Sequence, residues 1–570
     1  MQTTKKILVC CDTGCIANGS LAVVKALEEC ILASGADAAV EMEVKRTGCH
    51  GFCENGPVVK IMPDDISYFK VRAKDAAEIV GSLGSPDGAG SLDGADDADG
   101  LAGADGIGGI GKGPVERLLF RDDSGKRVTG RADNPFYAPQ NKVALRNVGE
   151  IDPDSIEDFV SRGGYAALKI ALSMSPEEII AEVEKSGLRG RGGAGFPTGR
   201  KWRIAAGMAN KPKYVVMNGD EGDPGAFMDR AMLEGDPHSI IEGIAICALA
   251  IGATEGFLYI RDEYTMALKT MKKAILAAES AGVLGSSVLG SEKSLHLSVV
   301  RGGGAFVCGE STALVASIEG NVGEPRAKYI RTVEQGLWGQ PTVLNNVETF
   351  ANIPVIILKG GAAFAATGTG PSKGTKVFTL VGKVRRSGLI EVPMGATLRQ
   401  IVFDIGGGIP GNREFKAIQT GGPSGGCLPA SLLDVPVDFD TLTKYGSMMG
   451  SGGMIVMDDR TCMVEVARYY TSFLARESCG KCTPCREGLR LMADILAGIC
   501  EGKGQAGDVK LLGALCETIT EASLCGLGKS AANPVLTTMK YFPEEYVEHI
   551  EKKVCRAGVC PMESNNGNNN

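Results

Sequence analysis

The sequence predicts a multidomain α/β chain that ends in a helical bundle, and three observations carry that prediction. At 570 residues the chain is about 3.8 times the roughly 150-residue domain prior, so several cores are expected. Short apolar strand candidates alternate with helix candidates from residue 7 to about residue 365. The last fifth then changes to the three- and four-residue apolar spacing of amphipathic helices, with cysteines at their connections.

Taken in order, ILVC at 7–10 reads as a strand, Ser20 as the cap of a helix to about residue 34, AVEMEV at 39–44 as a second strand and VVKIMP as a third. These make a small α/β domain over residues 1–80 with cysteines on its loops. Residues 81–113 hold 12 Gly and 6 Asp with no aromatic residue and no hydrophobic period, which reads as a flexible linker. A short adaptor follows, then helix candidates at 155–172 and from Ser175, where Ser175, Pro176 and Glu178 combine a cap, a first-position proline and an acid at the third position. YVVMN, GFLYI and LHLSVV supply strands and 239–251 a helix, giving an α/β domain over 114–365. KVFTLVGKV, GLIEVPM and FKAIQTGG, with a helix at 397–404 and GGMIVMDD, form a compact α+β module at 366–460. The helical domain spans 461–548 and a tail 549–570.

Charge and hydropathy exclude two classes of partner. Lys and Arg number 60 against 68 Asp and Glu, a net charge of −8, without the basic excess that nucleic acid selects. Apolar runs such as 241–251 fall short of the roughly 20 residues that cross a bilayer, so no direct membrane insertion is expected. Lys5 and Lys6 precede only the short ILVCC run, with no signal-like stretch, and the expected compartment is cytoplasmic.

Eighteen cysteines in a reducing compartment raise metals before disulfides. Cys479-x2-Cys482-x2-Cys485 places three thiolates on one tight loop and Cys525 supplies a distant fourth, the arrangement that holds a [4Fe-4S] centre. A tetrahedral zinc site is the alternative, although zinc more often pairs two short hairpins. Cys500 and Cys516 lie in apolar helical patterns and read as core. Near the N-terminus, Cys10-x4-Cys15 and Cys49-x3-Cys53 supply two pairs for a [2Fe-2S] cluster; Cys11 competes with Cys10, and a cluster-free domain is the alternative. His549, Cys555 and Cys560 need a fourth ligand for a closed zinc site, and Cys462 is the candidate; His549 as a plain surface residue is the alternative.

The loop from Gly190 through Gly192 and Phe196 to Gly199, followed by Lys201, can cradle a phosphate through exposed N–H groups opposite a cation. It follows a helix rather than a strand, so a purely structural loop is the competing reading. Asn218, Asp220, Glu221 and Asp223 come directly after a strand, and such groups can orient the hydroxyls of a flavin or nicotinamide. Glu310 follows another glycine turn ending at Gly309, and Asn345 and Asn346 close a strand. Together with the cysteines these favour a two-electron carrier joined to a one-electron wire.

LRGRGGAGFPTGRKW, NGDEGDPGAF, GAFVCGESTAL, PTVLNNVET and ESCGKCTPCREG, spread over 188–491, resemble the NADH-oxidising flavoprotein subunit of respiratory complex I. The closer likeness is to the beta subunits of soluble NAD-dependent electron-bifurcating hydrogenases and related NADH:ferredoxin oxidoreductases, whose added thioredoxin-like [2Fe-2S] domain CDTGC and GCHGFC resemble. The resemblance implies an FMN-binding α/β domain, a ubiquitin-like β-grasp module and a helical [4Fe-4S] domain. It implies FMN contacts at Gly190, Gly192, Lys201, Asn218, Asp220, Glu221, Gly309, Glu310, Asn345 and Asn346, nicotinamide stacking at Phe196, and a nucleotide contact at Lys328. Asp223 and Ser311 stand where the respiratory pattern commonly has glutamates, which opens the site to NADP(H). Many soluble homologues continue into a ferredoxin-like domain, whereas this sequence stops at PMESNNGNNN, so electrons are expected to leave to a partner. The implied partners are a small thioredoxin-like [2Fe-2S] subunit and a larger iron–sulfur or hydrogenase catalytic subunit. A formate dehydrogenase-associated diaphorase and a non-catalytic electron-transfer scaffold are the alternatives, and no side chain is required as a covalent nucleophile.

Overall fold

The computed structural model describes residues 4–34, 41–83, 113–327 and 329–562. It divides into two compact units, Met1–Ala138 with Asn147–Asp152, and Pro139–Arg146 with Pro153–Asn570. All but the ends of the expected 81–113 linker, and the last eight residues of the tail, lie outside the described residues.

In the first unit β1 (Lys5–Cys10), α1 (Thr13–Ala17), α2 (Ser20–Ala33), β2 (Met42–Thr47), β3 (Val59–Met62), β4 (Ile66–Tyr68) and α3 (Ala76–Leu83) follow in order. The sheet runs β2-β1-β3-β4, with β1 parallel to β2 and the other pairs antiparallel. Val23, Val24 and Leu27 of α2 and Ile79, Val80 and Leu83 of α3 recur at helical spacing and close on Ile7, Val9, Val59 and Ile61. Ser20 is not the cap but the first helical residue: Gly19, at φ +90°, takes the capping position as the chain turns out of α1. This unit also reaches past the expected boundary at 114. A hairpin of β5 (Phe120–Arg121) and β6 (Arg127–Val128) leads to Phe136 and Tyr137. Phe120, half-buried, and the buried Phe136 and Tyr137 pack on Phe52 and Phe69, with ring centroids 4.3 to 6.1 Å apart, and this aromatic packing places the adaptor with the cysteine domain.

The second unit opens with α4 (Ile156–Ser161), α5 (Ala166–Ser173), α6 (Pro176–Lys185) and α7 (Thr198–Gly207). The start of α6 is a capping box in which Ser175 and Glu178 satisfy each other's backbone N–H groups behind Pro176. There follow β7 (Tyr214–Gly219), α8 (Met228–Gly235), α9 (Pro237–Ile251), β8 (Glu255–Ile260), α10 (Thr265–Ser280), β9 (His296–Arg301), α11 (Ser311–Ile318), β10 (Thr342–Asn346), α12 (Val347–Lys359) and α13 (Gly361–Ala365). The sheet β10-β7-β8-β9 is wholly parallel, so its carboxyl ends share one edge, where ligands of open α/β sheets bind. Behind it α9 is buried on almost every side and meets α12 so closely that a Cβ on Gly243 would stand 2.1 Å from the Phe350 carbonyl oxygen.

Next come β11 (Thr375–Gly382), β12 (Gly388–Pro393), β13 (Phe415–Thr420), β14 (Gly426–Pro429), α14 (Phe439–Lys444) and β15 (Gly453–Asp458). Their order, β12-β11-β15-β13-β14 with only β11 and β15 parallel, is that of a β-grasp sheet. The helix expected at 397–404 is present as a wide π-helical turn at Gln400–Ile405. The bundle consists of α15 (Met463–Glu477), α16 (Thr483–Cys500), α17 (Asp508–Ala522), α18 (Gly526–Ser530), α19 (Asn533–Tyr541) and α20 (Pro543–Val547). Val464, Ala467 and Leu474 of α15 face Leu489, Met492, Leu496 and Ile499 of α16 in one core, which also takes in Cys500 and Cys516. Among the described residues, no helix is long and apolar enough to cross a membrane.

Candidate functional site

A polar pocket forms at the carboxyl ends of β7 and β10, whose register sets Asn218 beside Asn346. Asn218 Nδ2 donates to the Gly309 carbonyl (2.9 Å) and its Oδ1 accepts from the Asp220 N–H (3.0 Å), an Asx turn that directs the acidic loop. A Cβ on Gly192 would meet that of Asn346 at 3.0 Å, and one on Gly309 would meet the Asp220 carbonyl oxygen at 3.3 Å, so the floor is backbone. Gly190 N–H donates to the Phe196 carbonyl (2.9 Å) and closes the glycine loop. Phe196 is half-buried, with the guanidinium groups of Arg200 and Arg331 5.8 and 5.9 Å from its ring centre. Lys201 Nζ reaches β10 and donates to the Leu344 carbonyl (2.7 Å).

Unmet polar atoms mark the wall that awaits a ligand. Asn345 is 3% exposed, yet neither its Oδ1 nor its Nδ2 has a protein partner, and Asp220 Oδ2 is buried in the same condition. Each unmet group costs about 1–3 kcal/mol, so a polar molecule that meets them fits here. Burial pushes the Asp220 carboxyl up to about 7, where it can donate as well as accept. An amide, a carboxyl, a lysine and a backbone floor suit the polar groups of FMN.

Other expected contacts are engaged by the protein itself. Glu221 accepts the N–H groups of Asp229 and Arg230 (3.1 Å each) and the Tyr264 hydroxyl (3.0 Å), holding the start of α8. Asp223 accepts the Ser451 hydroxyl (2.6 Å) and lies against Gly422, which joins the acidic loop to the β-grasp sheet. Asn346 caps α12 at the Glu348 N–H (2.9 Å) and donates to Asp229 (2.6 Å), while Glu310 caps α11 at the Thr312 and Ala313 N–H groups (2.8 and 3.1 Å). Lys328 lies outside the described residues. Arg191, not singled out in sequence, is fully buried and donates to the carbonyls of Arg189, Lys373 and Thr375 (2.6 to 3.1 Å), and buried Lys376 pairs with Glu348. A cation inside a glycine run and another inside TKVFTLV are the only outward signs of this scaffold.

The cysteines form three sets. Cys479, Cys482, Cys485 and Cys525 line one cavity with Val307, Ser478, Ser523, Leu527 and Gly528. Cys482 receives the Leu524 N–H (3.4 Å), and Cys485 stands 3.3 Å from the Ser478 hydroxyl. The four sulfurs do not gather within 4.8 Å of one another, which suits a cluster placed between them and not one zinc ion. In the first unit Cys10 ends β1, Cys15 lies in α1, and Cys49 and Cys53 flank a tight turn in which the Gly51 N–H donates to Cys49 Sγ (3.3 Å). Cys11 points into the apolar core with Ile7 and Val9, which leaves Cys10 to the loop side. Cys462, His549, Cys555 and Cys560 do gather within 4.8 Å. His549 Nδ1 lies 2.7 Å from the Glu545 carbonyl, so Nε2, 3.4 Å from both Cys462 and Cys560 Sγ, is turned to the sulfurs. His549 is fully buried, not a surface residue.

Comparison with known proteins agrees with this geometry. Residues 183–355 match the Nuo51 FMN-binding domain, 465–549 the NADH-ubiquinone oxidoreductase-F iron-sulfur binding region, and 2–84 the thioredoxin-like [2Fe-2S] ferredoxin. NADP-reducing hydrogenase subunit HndC of Solidesulfovibrio fructosivorans is 53% identical over 74% of this chain and 86% of its own length. The chain belongs to the complex I 51 kDa-type flavoprotein family. Another relative within this flavoprotein family, a subunit of the NADH-quinone oxidoreductase of Rhizobium meliloti (strain 1021), is 46% identical over 72% of this chain and 98% of its own. The crystal structure of an NAD+-reducing [NiFe]-hydrogenase in the H2-reduced state covers 97% of this chain and 86% of its own at TM-score 0.64 and 28% identity. As a family member, the chain is an NAD(H)-dependent flavin and iron–sulfur oxidoreductase subunit of diaphorase type, with FMN, a [4Fe-4S] and a [2Fe-2S] cluster.

Proposed function

We propose that this chain is the pyridine-nucleotide diaphorase subunit of a cytoplasmic multisubunit hydrogenase, working beside a small thioredoxin-like [2Fe-2S] subunit and a larger catalytic subunit. The likeness to the hydrogenase subunit HndC and to an NAD+-reducing hydrogenase supports that setting. One structural observation carries the wiring: the segment 306–310 has two sides. Gly309 meets Asn218 in the polar pocket, while Val307 lines the four-cysteine cavity and Phe306 packs on Phe473 of α15 at 5.5 Å. When bound, FMN supplies the conversion between hydride and single-electron transfer. Gly190, Gly192, Lys201, Asn218, Asp220, Gly309 and Asn345 would hold it, with Phe196 placed for the nicotinamide. Cys479, Cys482, Cys485 and Cys525 would hold the [4Fe-4S] cluster, Cys10, Cys15, Cys49 and Cys53 the [2Fe-2S] cluster, and Cys462, His549, Cys555 and Cys560 a structural zinc ion. Asp223 and Glu221 then serve as props of the pocket wall.

The purified chain should contain FMN and reduce an artificial acceptor with NADH; a folded, iron-loaded preparation that neither contains nor takes up FMN would overturn the reading. Ser311, whose hydroxyl rests on Glu310 (3.1 Å), puts a short neutral group where a glutamate would repel a 2′-phosphate. Ser311→Glu should lower kcat/KM for NADPH relative to NADH, and an unchanged ratio would remove Ser311 from nucleotide choice.

A further inference from the structure

The cysteine loop of the first unit is covered by chain that lies beyond the 2–84 family match. Val115 N–H donates to the Tyr68 hydroxyl (3.1 Å), the Thr129 carbonyl accepts from the Ser67 N–H (2.9 Å), and Arg131 N–H donates to Asp65 (3.1 Å), so the segment runs beside β4. Phe136 then stacks on Phe52, the residue before Cys53, at 4.3 Å and 14°. Gly149 closes over the other end: a Cβ there would meet the Cys49 carbonyl oxygen and the His50 ring at 3.2 Å. Burial pushes the Tyr137 phenol up, and the Arg131 guanidinium, 5.0 Å from the centre of its ring, opposes that shift.

Under this cover runs a chain of polar contacts. His50 is 1% exposed, with Nε2 2.8 Å from the Thr47 hydroxyl and Nδ1 against the Arg131 guanidinium. The Thr47 hydroxyl continues to the carbonyl of Val9, next to Cys10 (3.2 Å). Arg131 pairs with Glu150, Glu150 with Lys60 (3.1 Å), and Lys60 with Asp65 (3.5 Å), so two cations balance two carboxylates. Arg131, Glu150 and Lys60 all lie mostly out of water, where charge is poorly screened. A centre that gains one electron on reduction responds to such charges and to its exposure.

We propose that residues 113–138 together with Asn147–Asp152 are a built-in cover for the [2Fe-2S] centre, in which Gly149 shields Cys49 and the Arg131–Glu150 pair sets the charge that the centre feels. The inference rests on Cys10, Cys15, Cys49 and Cys53 being the cluster ligands. Arg131, Glu150 and Gly149 are positioning residues in this scheme, since none is itself a ligand.

The test uses the full chain and reads the cluster directly. Redox titration followed by electron paramagnetic resonance should show Glu150→Gln shifting the centre toward reduction and Arg131→Gln toward oxidation. Each should change the reduced-to-oxidised ratio at fixed potential by about tenfold, about 59 mV for a one-electron couple. Iron release to bathophenanthroline disulfonate should be about tenfold faster in Gly149→Ala, as local opening of the cover becomes easier. Gly125→Ala is the matched control, because Gly125 also has a positive φ (+85°) in the same segment but nothing within 4 Å of an added Cβ. Wild-type potential in Glu150→Gln, a shift of both charge variants in one direction, or equal iron release from the two glycine variants would overturn the proposal. Absence of any [2Fe-2S] signal from the iron-loaded wild type would instead remove the ligand assignment, and the cover with it.

Discussion

The polar pocket and the four-cysteine cavity lie on opposite sides of the segment 306–310, and they are built on opposite principles. In the cavity the ligand groups come from one short loop and one helix start, walled by Val307 and Leu527, and their sulfurs stand apart around the space they would fill. In the pocket the polar groups come from β7, β10 and three loops, and most of them already serve one another or a helix end. Asn345, one oxygen of Asp220 and the hydroxyl of Thr198 in the glycine loop are among the groups left over. A site made of local spacing stands or falls with each ligand, whereas a site made of distant elements mixes groups that bind with groups that prop.

The sharpest way to break this contrast is Cys482→Ser. It should abolish the [4Fe-4S] signal and electron arrival at partner subunits while FMN and NADH-to-dye reduction persist, because no pocket residue depends on that thiolate. Partner reduction at the wild-type rate without the cluster would remove the cavity from the electron path. A second variant tests whether sulfur spread decides the metal. His549→Ala should lose one zinc ion by metal analysis, keep the [4Fe-4S] signal, and lower Tm by roughly 5–10 °C, since metal binding there adds to folding free energy. Zinc retained in that variant, or none in the wild type, would reject the set Cys462, His549, Cys555 and Cys560.

Legibility in sequence follows the same division. Cys479, Cys482 and Cys485 could be grouped from spacing alone, because a loop that enters α16 leaves three residues little freedom to part. The strands at 214–218, 256–260 and 295–300 and the capped start of α6 were equally readable, since a short apolar run and a cap are properties of neighbours. The split between Asn345 and Asn346 was not readable: adjacent residues of one type, one with both amide atoms unmet and one spent on α12 and Asp229. Which partner a polar side chain takes is settled by elements over a hundred residues away, as with Asp223 and Ser451. The adaptor after residue 113 escaped for another reason. It has turns in place of a hydrophobic period, and its attachment to the cysteine domain rests on a few aromatic side chains.

Asn345 and Asn346 therefore make a paired test. Asn345→Ala should weaken FMN binding by about ten- to thirtyfold, the worth of one or two hydrogen bonds, and leave the melting temperature of the FMN-free chain unchanged or higher. Asn346→Ala should cost stability through the lost α12 cap, typically about 1 kcal/mol, with a smaller effect on affinity. Binding by fluorescence quenching and melting by calorimetry separate the two, and identical profiles would erase the distinction between binding and propping groups.

The effect confined to one range of pH concerns Asp220 and its sign. Burial holds its carboxyl at about 7 against the ordinary 3.8, so between about pH 4 and pH 7 the folded, FMN-free chain binds more protons at this position than the unfolded chain does. This group therefore makes stability fall as pH rises through that window, and the deficit is fully present above the folded value. Asp220→Asn removes the ionisation while keeping the shape, so it should flatten that part of the pH profile and stabilise the FMN-free chain at about pH 8 by roughly 1–2 kcal/mol. Only below the unfolded value of 3.8 should the two chains melt together, because Asp220 is then neutral in both the folded and the unfolded chain. Melting curves that stay parallel from about pH 5 to pH 8 would mean that the Asp220 carboxyl is already solvated in the empty pocket, and the pocket would then differ less from an ordinary surface cleft than the unmet atoms of Asn345 imply.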